Sequence, residues 1–245
     1  MKSTNSKLRA AGLIQIAAVS LLALLFASCI GERIEGNYHL ITEEREVRPF
    51  DDVMLTGNIQ AEIIPSDEVK VIIKGESNVL PYLQTKSDGV TLTIGFRNGY
   101  NIHENYPVEV KIYTPVLQGI RGSGSGNVYS GMFSADYVFL EVSGSGSISC
   151  GFDAEAVEAR ISGSGRIFAE GWASTGQYRV SGSGNIDASD LLLSHCNARI
   201  SGSGNIRTSV SSVLDANISG SGNVYYKGNP EVFTQISGSG KVIRF

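Results

Sequence analysis

Apolar and polar residues alternate through the second half of the chain. Val138-Leu140-Val142, Val157-Ala159-Ile161 and Leu214-Ala216-Ile218 hold every second position, while Glu141, Glu158, Arg160, Arg179, Arg199 and Asn217 stand at polar positions between such residues. A period of two sends successive side chains to opposite faces, so each run predicts a strand with one buried and one wet face. No stretch of the mature chain reads as a substantial helix. The runs end in one tetrad, Ser-Gly-Ser-Gly, which begins at Ser123, Ser143, Ser162, Ser181, Ser201, Ser219 and Ser237, at intervals of 20, 19, 19, 20, 18 and 18 residues. Before each tetrad stands Val142, Ile161, Val180, Ile200, Ile218 or Ile236, with Gly122 in the first copy. Beyond it stand Val128, Ile148, Ile167, Ile186, Ile206, Val224 and Val242. Two short strands thus flank every glycine turn.

Self-similarity at a fixed period of this length signals a solenoid. Coils of about 18–20 residues stacked in register would lay branched aliphatics on one another at roughly 4.8 Å. The expected fold is therefore all-β, a parallel β-helix. The alternative is an antiparallel β-sandwich or barrel in which each tetrad is a hairpin turn. In the stacked reading Gly144, Gly146, Gly163, Gly165, Gly182, Gly184, Gly202, Gly204, Gly220, Gly222, Gly238 and Gly240 are structural, because a corner repeated in register needs left-handed backbone and leaves no room for side chains between layers. Asn127, Asn185, Asn205 and Asn223 follow their tetrads and predict a partial asparagine ladder.

Residues 46–121 use the same alphabet with a looser period, in strands such as Ile59-Gln60-Ala61-Glu62-Ile63 and Val108-Glu109-Val110-Lys111-Ile112. They form the irregular N-terminal part of a domain spanning 46–245, with the repeats over 122–245. Asn78 to Gln84 predicts one helical turn, and Asn98 to Pro107 a surface loop. Ahead of the domain, Lys2, Lys7 and Arg9 precede an apolar run from Leu13 to Phe26. That is a secretory signal pattern over residues 1–28. Phe26-Ala27-Ser28-Cys29 resembles the box cut by the bacterial lipoprotein signal peptidase, so Cys29 is the expected lipidation site, with residues 29–45 as a tether. The expected location is the cell envelope, lipid-anchored, at the outer membrane.

Composition narrows the chemistry. Twenty-four acidic residues outnumber 20 basic ones, for a net charge of -4. That disfavours a phosphate-tracking surface, and no nucleic-acid partner is expected. Cys150 and Cys196 lie on apolar faces and read as buried free thiols. His39, His103 and His195 are scattered, so no metal site is expected. The tetrads lack the lysine and the following helix of a phosphate loop, so no cofactor is expected either. Asp136, Asp153, Asp187, Asp190 and Asp215 fall at different offsets from their tetrads and do not read as a catalytic cluster. Tyr129, Phe133, Phe168, Trp172, Tyr225 and Phe233 occupy positions that alternation does not send clearly inward. Of these, Tyr129, Trp172 and Tyr225 are the candidate ligand contacts, since rigid aromatic platforms suit sugars or protein partners.

The segments Val47-Arg48-Pro49-Phe50-Asp51-Asp52-Val53, Asn78 to Lys86 and Asp88-Gly89-Val90-Thr91-Leu92, followed by serial Ser-Gly-Ser-Gly-Asn, resemble the putative auto-transporter adhesin, head GIN domain family. The resemblance covers residues 46 to 245. It implies a right-handed β-helix and a secreted or lipid-anchored protein of Bacteroidetes, and it carries over no catalytic or ligand residues. The expected function is a non-enzymatic envelope lipoprotein presenting a rigid solenoid as an adhesin or scaffold. Its partners would be the membrane, through the lipid, and glycan or an envelope protein. The alternative is a polysaccharide-processing enzyme on the same scaffold.

Overall fold

Strands that bury one face and repeat at a fixed interval can satisfy both their apolar faces and their backbone groups by stacking coil on coil, and this chain does so. The computed structural model describes residues 32–245. Nine strands precede the repeats: β1 (Glu32–Glu35), β2 (Leu40–Arg45), β3 (Asp52–Gly57), β4 (Ile59–Pro65), β5 (Lys70–Glu76), β6 (Leu83–Ser87), β7 (Thr91–Phe96), β8 (Tyr100–His103) and β9 (Val108–Thr114). The coils follow as β10 (Gly119–Gly124), β11 (Asn127–Gly144), β12 (Ser147–Gly163), β13 (Arg166–Gly182), β14 (Asn185–Gly202), β15 (Asn205–Gly220), β16 (Asn223–Lys227), β17 (Glu231–Gly238) and β18 (Lys241–Arg244). Each of β10 to β15 pairs in parallel with the coil after it, so that Gly124, Gly144, Gly163, Gly182, Gly202, Gly220 and Gly238 lie one above another. These parallel ladders exclude the hairpin alternative. The two short strands expected per coil merge in β11 to β15 into one bent strand of 16–18 residues.

The core is a set of aliphatic ladders. Val128, Ile148, Ile167, Ile186, Ile206 and Val224 are buried on one wall, and Val142, Ile161, Val180, Ile200 and Ile218 on the next. Burying such a side chain stabilises by roughly 1.5–3 kcal/mol. Aromatic rings interrupt the stack at Phe133, Phe152 and Tyr178. Tyr178 is fully buried between Ala159 and Ala198 of the neighbouring coils, and Gly176 clears space beside its ring. Among the described residues its hydroxyl has no hydrogen-bond partner, and burial raises its pKa well above the ordinary tyrosine value. Cys150 and Cys196 are buried and, among the described residues, unpaired. Burial pushes the Cys196 thiol up to about 12 and Cys150 further still, so neither is a ready thiolate.

The two tetrad glycines meet different demands. Gly202 has φ +130, whereas Gly204 lies outside the left-handed region. A Cβ on Gly204 would overlap the Gly184 carbonyl oxygen one coil below. The corner is closed by its predecessor, since Ser203 N and Gly204 N both donate to Gly182 O, at 2.9 and 3.1 Å. The asparagine ladder forms in two runs. Asn205 Nδ2 donates to Asn185 Oδ1 at 3.0 Å and Asn223 Nδ2 to Asn205 Oδ1 at 3.3 Å. Asn127 Nδ2 donates to Gln60 Oε1 at 3.0 Å, and Ser147 Oγ to Asn127 Oδ1 at 2.6 Å.

The N-terminal part departs from expectation in three places. β3, β4, β7 and β9 join the parallel stack, but β2 on β5, β5 on β9 and β6 on β7 are antiparallel and close the first end. The segment expected as a tether is folded over residues 32–45, where β1 pairs with β8 and β2 with β5. The loop expected over Asn98 to Pro107 contains β8. The physical reason for both differences is a long-range carboxylate node. Glu76 is buried, accepting from Tyr38 N at 2.6 Å, Asn105 N at 2.8 Å and Asn105 Nδ2 at 2.9 Å. It ties the leading segment and the 104–106 turn to the end of β5, and nothing local in either segment announces it. Asn78 to Gln84 does hold a helical turn, a 3-10 turn at Leu80–Tyr82.

Candidate functional site

Alternation leaves outward columns on either side of the serine-glycine corner, and each column runs along the solenoid axis. The column after the corner reads Glu62, Tyr129, Ser149, Phe168, Asp187, Arg207, Tyr225, Ile243 in register. Rings 39 and 57 residues apart thus share one face. Between Phe168 and Tyr225 lies a groove of about 270 Å³, lined also by Arg166, Asn185, Asp187 and Arg207. Phe168 is exposed and Tyr225 half-buried. Arg207 lies 3.5 Å from Asp187 Oδ2 and 5.7 Å from the Tyr225 ring centroid, and Phe245 stands edge-on to Tyr225 at 6.4 Å. The groove therefore combines an apolar plate at each end with a fixed ion pair and amides between. Hydroxylated rings are recognised by this mixture of apolar and polar groups.

The other sequence candidates are dispersed. Tyr129 is exposed on the same column and walls a separate hollow of about 270 Å³ with Gln60, Glu62 and Lys111. Trp172 stands on a different side of the coil, in register with Leu192, and both are exposed. Phe133 is buried, and Phe233 is exposed on the last coil. His39, His103 and His195 are exposed. Among the described residues no three His, Cys, Asp or Glu side chains group as a metal site. Asp153, Asp187 and Asp215 sit opposite Trp172, Phe168 and Asn197 respectively, while Asp190 sits opposite Glu170.

The column before the corner was not singled out in the sequence. It runs Met54, Arg121, Glu141, Arg160, Arg179, Arg199, Asn217, Gln235. Beside it the first tetrad serines Ser162, Ser181 and Ser201 are exposed and in register. Together they line a groove of about 460 Å³. Glu158 borders the groove, 2.6 Å from Arg160 and 3.8 Å from Arg179. Burial pushes its carboxyl pKa up, but hydrogen bonds from Tyr137 and Arg160, with the charges of Arg160 and Arg179, bring it below the ordinary value. The signal was present, because arginine stands two residues before the tetrad in four copies, at Arg121 and in the three consecutive copies at Arg160, Arg179 and Arg199. Read singly, each is only a wet-face residue.

Cys29 lies outside the described residues. Among those described, no helix is long and apolar enough to cross a membrane.

Residues 49–230 match the family described as "Putative auto-transporter adhesin, head GIN domain". Solved structures share the fold. A "putative adhesin" from Bacteroides fragilis superposes with a TM-score of 0.80 at 25% identity, covering 86% of this chain and 100% of its own. A "putative lipid binding protein" from Parabacteroides distasonis gives 0.76 at 25% identity, covering 87% and 100%. A "putative adhesin" from Parabacteroides merdae gives 0.68 at 25% identity, covering 87% and 99%. No curated relative matches the sequence.

Proposed function

The chain belongs to the "putative auto-transporter adhesin, head GIN domain" family, and on that premise we propose that it is a non-enzymatic, lipid-anchored envelope adhesin that binds glycan. The observation that carries the glycan reading is the groove between Phe168 and Tyr225, with Asp187, Arg207 and Asn185 between the rings. A sugar face would stack on either ring while its hydroxyls meet the carboxylate, the guanidinium and the amide. The sheet beneath is a stack of parallel ladders, so little ordering opposes binding and weak individual contacts add up. Repetition along the axis suits a polymer better than a single small molecule. Adhesin names among the relatives support an envelope role, and the lipobox at Cys29 supports anchoring.

The test is a glycan array probed with residues 32–245, followed by titration of the strongest ligand. Phe168→Ala with Tyr225→Ala should weaken that ligand at least about tenfold, the equivalent of 1.4 kcal/mol. Unchanged affinity in the double variant would remove this groove from the reading. Release of new reducing ends from the bound glycan would replace adhesion with catalysis.

A further inference from the structure

We propose that the arginine column on the other side of the corner is a second binding groove, specific for a linear acidic polysaccharide whose carboxylates repeat along the chain. Arg160, Arg179 and Arg199 are direct neighbours in register on β12, β13 and β14. Like charges directly opposite one another destabilise a sheet, and this sheet sets three in a row within a chain of net negative charge. Among the described residues Glu158 is the one carboxylate within ion-pair distance of them, at 2.6 Å from Arg160 and 3.8 Å from Arg179, while Glu141 stands in register beside Arg160 at the near end of the groove. Arg199 has no carboxylate within 4.0 Å among the described residues. An anion laid along the column would relieve the repulsion.

The chemistry of the column selects the anion. A guanidinium offers a planar fork that matches a carboxylate with two parallel hydrogen bonds. Three forks at the strand spacing of roughly 4.8 Å want anions at that interval or a small multiple of it. A uronic-acid polymer places one carboxylate on each pyranose, whose length is close to one strand spacing, and the turn of successive rings about the chain axis brings carboxylates to one side at a small multiple of that repeat. An extended acidic peptide presents same-face side chains only every two residues, about 6.6 Å apart, and slips out of phase within three coils. Ser162, Ser181 and Ser201 edge the arginines and supply hydroxyls that donate to or accept from sugar hydroxyls. The groove of about 460 Å³ runs along the axis, as a chain ligand requires.

Calorimetric titration of residues 32–245 with hexagalacturonate at low salt tests this. Binding is expected, and methyl esterification of the same oligosaccharide should abolish it. Arg179→Gln with Arg199→Gln should weaken binding at least about tenfold, two charge-assisted contacts being removed. Arg97→Gln, an exposed arginine outside the groove, should leave it unchanged. Arg199→Gln alone, which breaks no ion pair, gives the same reading should the double variant melt below the parent. Equal affinity for the methyl ester, full affinity in both arginine variants, or tighter binding to poly-L-glutamate or to vesicles of phosphatidylcholine with phosphatidylglycerol would overturn the proposal.

Discussion

Gly202 and Gly204 look alike in the sequence and are held for different reasons. Gly202 sits at φ +130, where a side chain strains the backbone whatever the space around it. Gly204 has an ordinary backbone but no room, its Cβ position falling on the Gly184 carbonyl oxygen and 2.6 Å from Val180 Cγ1. Alanine at either position should lower stability by at least about 1 kcal/mol, through strain at Gly202 and through layer separation at Gly204. In a chain of this size that is roughly 2–4 °C of melting temperature per position. Thermal melts of the two single variants check it, and an unshifted transition at Gly204 would show that neighbouring coils can part. The repeat made both glycines legible as structural. The sequence could not separate left-handed backbone from close approach, because that depends on the carbonyl contributed by the coil below.

Among the elements, β1, β2 and β8 are the ones whose place local pattern does not reveal. Their folding rests on Glu76, and Gly36 is there because a Cβ would overlap that carboxylate. Burial raises the Glu76 pKa, but hydrogen bonds from the Asn105 side chain and from the backbone N–H groups of Tyr38, Asn105 and Tyr106 outweigh it, so the folded value lies below the ordinary one. A depressed folded pKa means that Glu76 stabilises the native state above the unfolded value of about 4.3, and that this is lost as pH falls through the lower folded value. Glu76→Gln should therefore melt below the parent at neutral pH, and the gap should close on acidification below about pH 4. Melting curves across that range check the sign. A gap that widened in acid would mean that the carboxylate is not the binding form. The same lesson governs the outward columns. Arg160 of β12, Arg179 of β13 and Arg199 of β14 each stand at an unremarkable polar position, and only pairing in register makes those three a stripe.

At the level of the whole molecule, the solenoid is a rod whose inner faces are alike and whose outer faces differ on either side of one corner. Its leading end is sealed by antiparallel strands. At its trailing end Ile236 and Phe245 remain exposed. The proposed lipid anchor belongs to this scale, because it would decide where the rod stands. Acyl chains on Cys29 would each contribute roughly 0.8 kcal/mol per buried methylene, enough in pairs for stable attachment. Cys29→Ala in the full chain should shift the protein from the membrane to the soluble fraction or leave it unprocessed. Fractionation with mass measurement of the mature N-terminus checks this, and membrane association with an unchanged mature mass would exclude lipidation. With β1 and β2 folded onto the domain, the span between Cys29 and the first strand is short, so an anchored rod would stand close to its membrane.

What the sequence determined by itself was the repeat and everything that follows from identity between copies: parallel coils, aliphatic ladders, glycine corners and a partial asparagine ladder. Stacking converts equal offsets into vertical neighbours, so periodicity alone carries that information. What only the tertiary structure decided was the meaning of residues that differ between copies. Phe168 and Tyr225 became two ends of one groove, Trp172 went to another side, and Glu76 gathered a leader read as a tether. Register between specific coils and long-range hydrogen bonds decide such relations, and neither is written in any single stretch of chain.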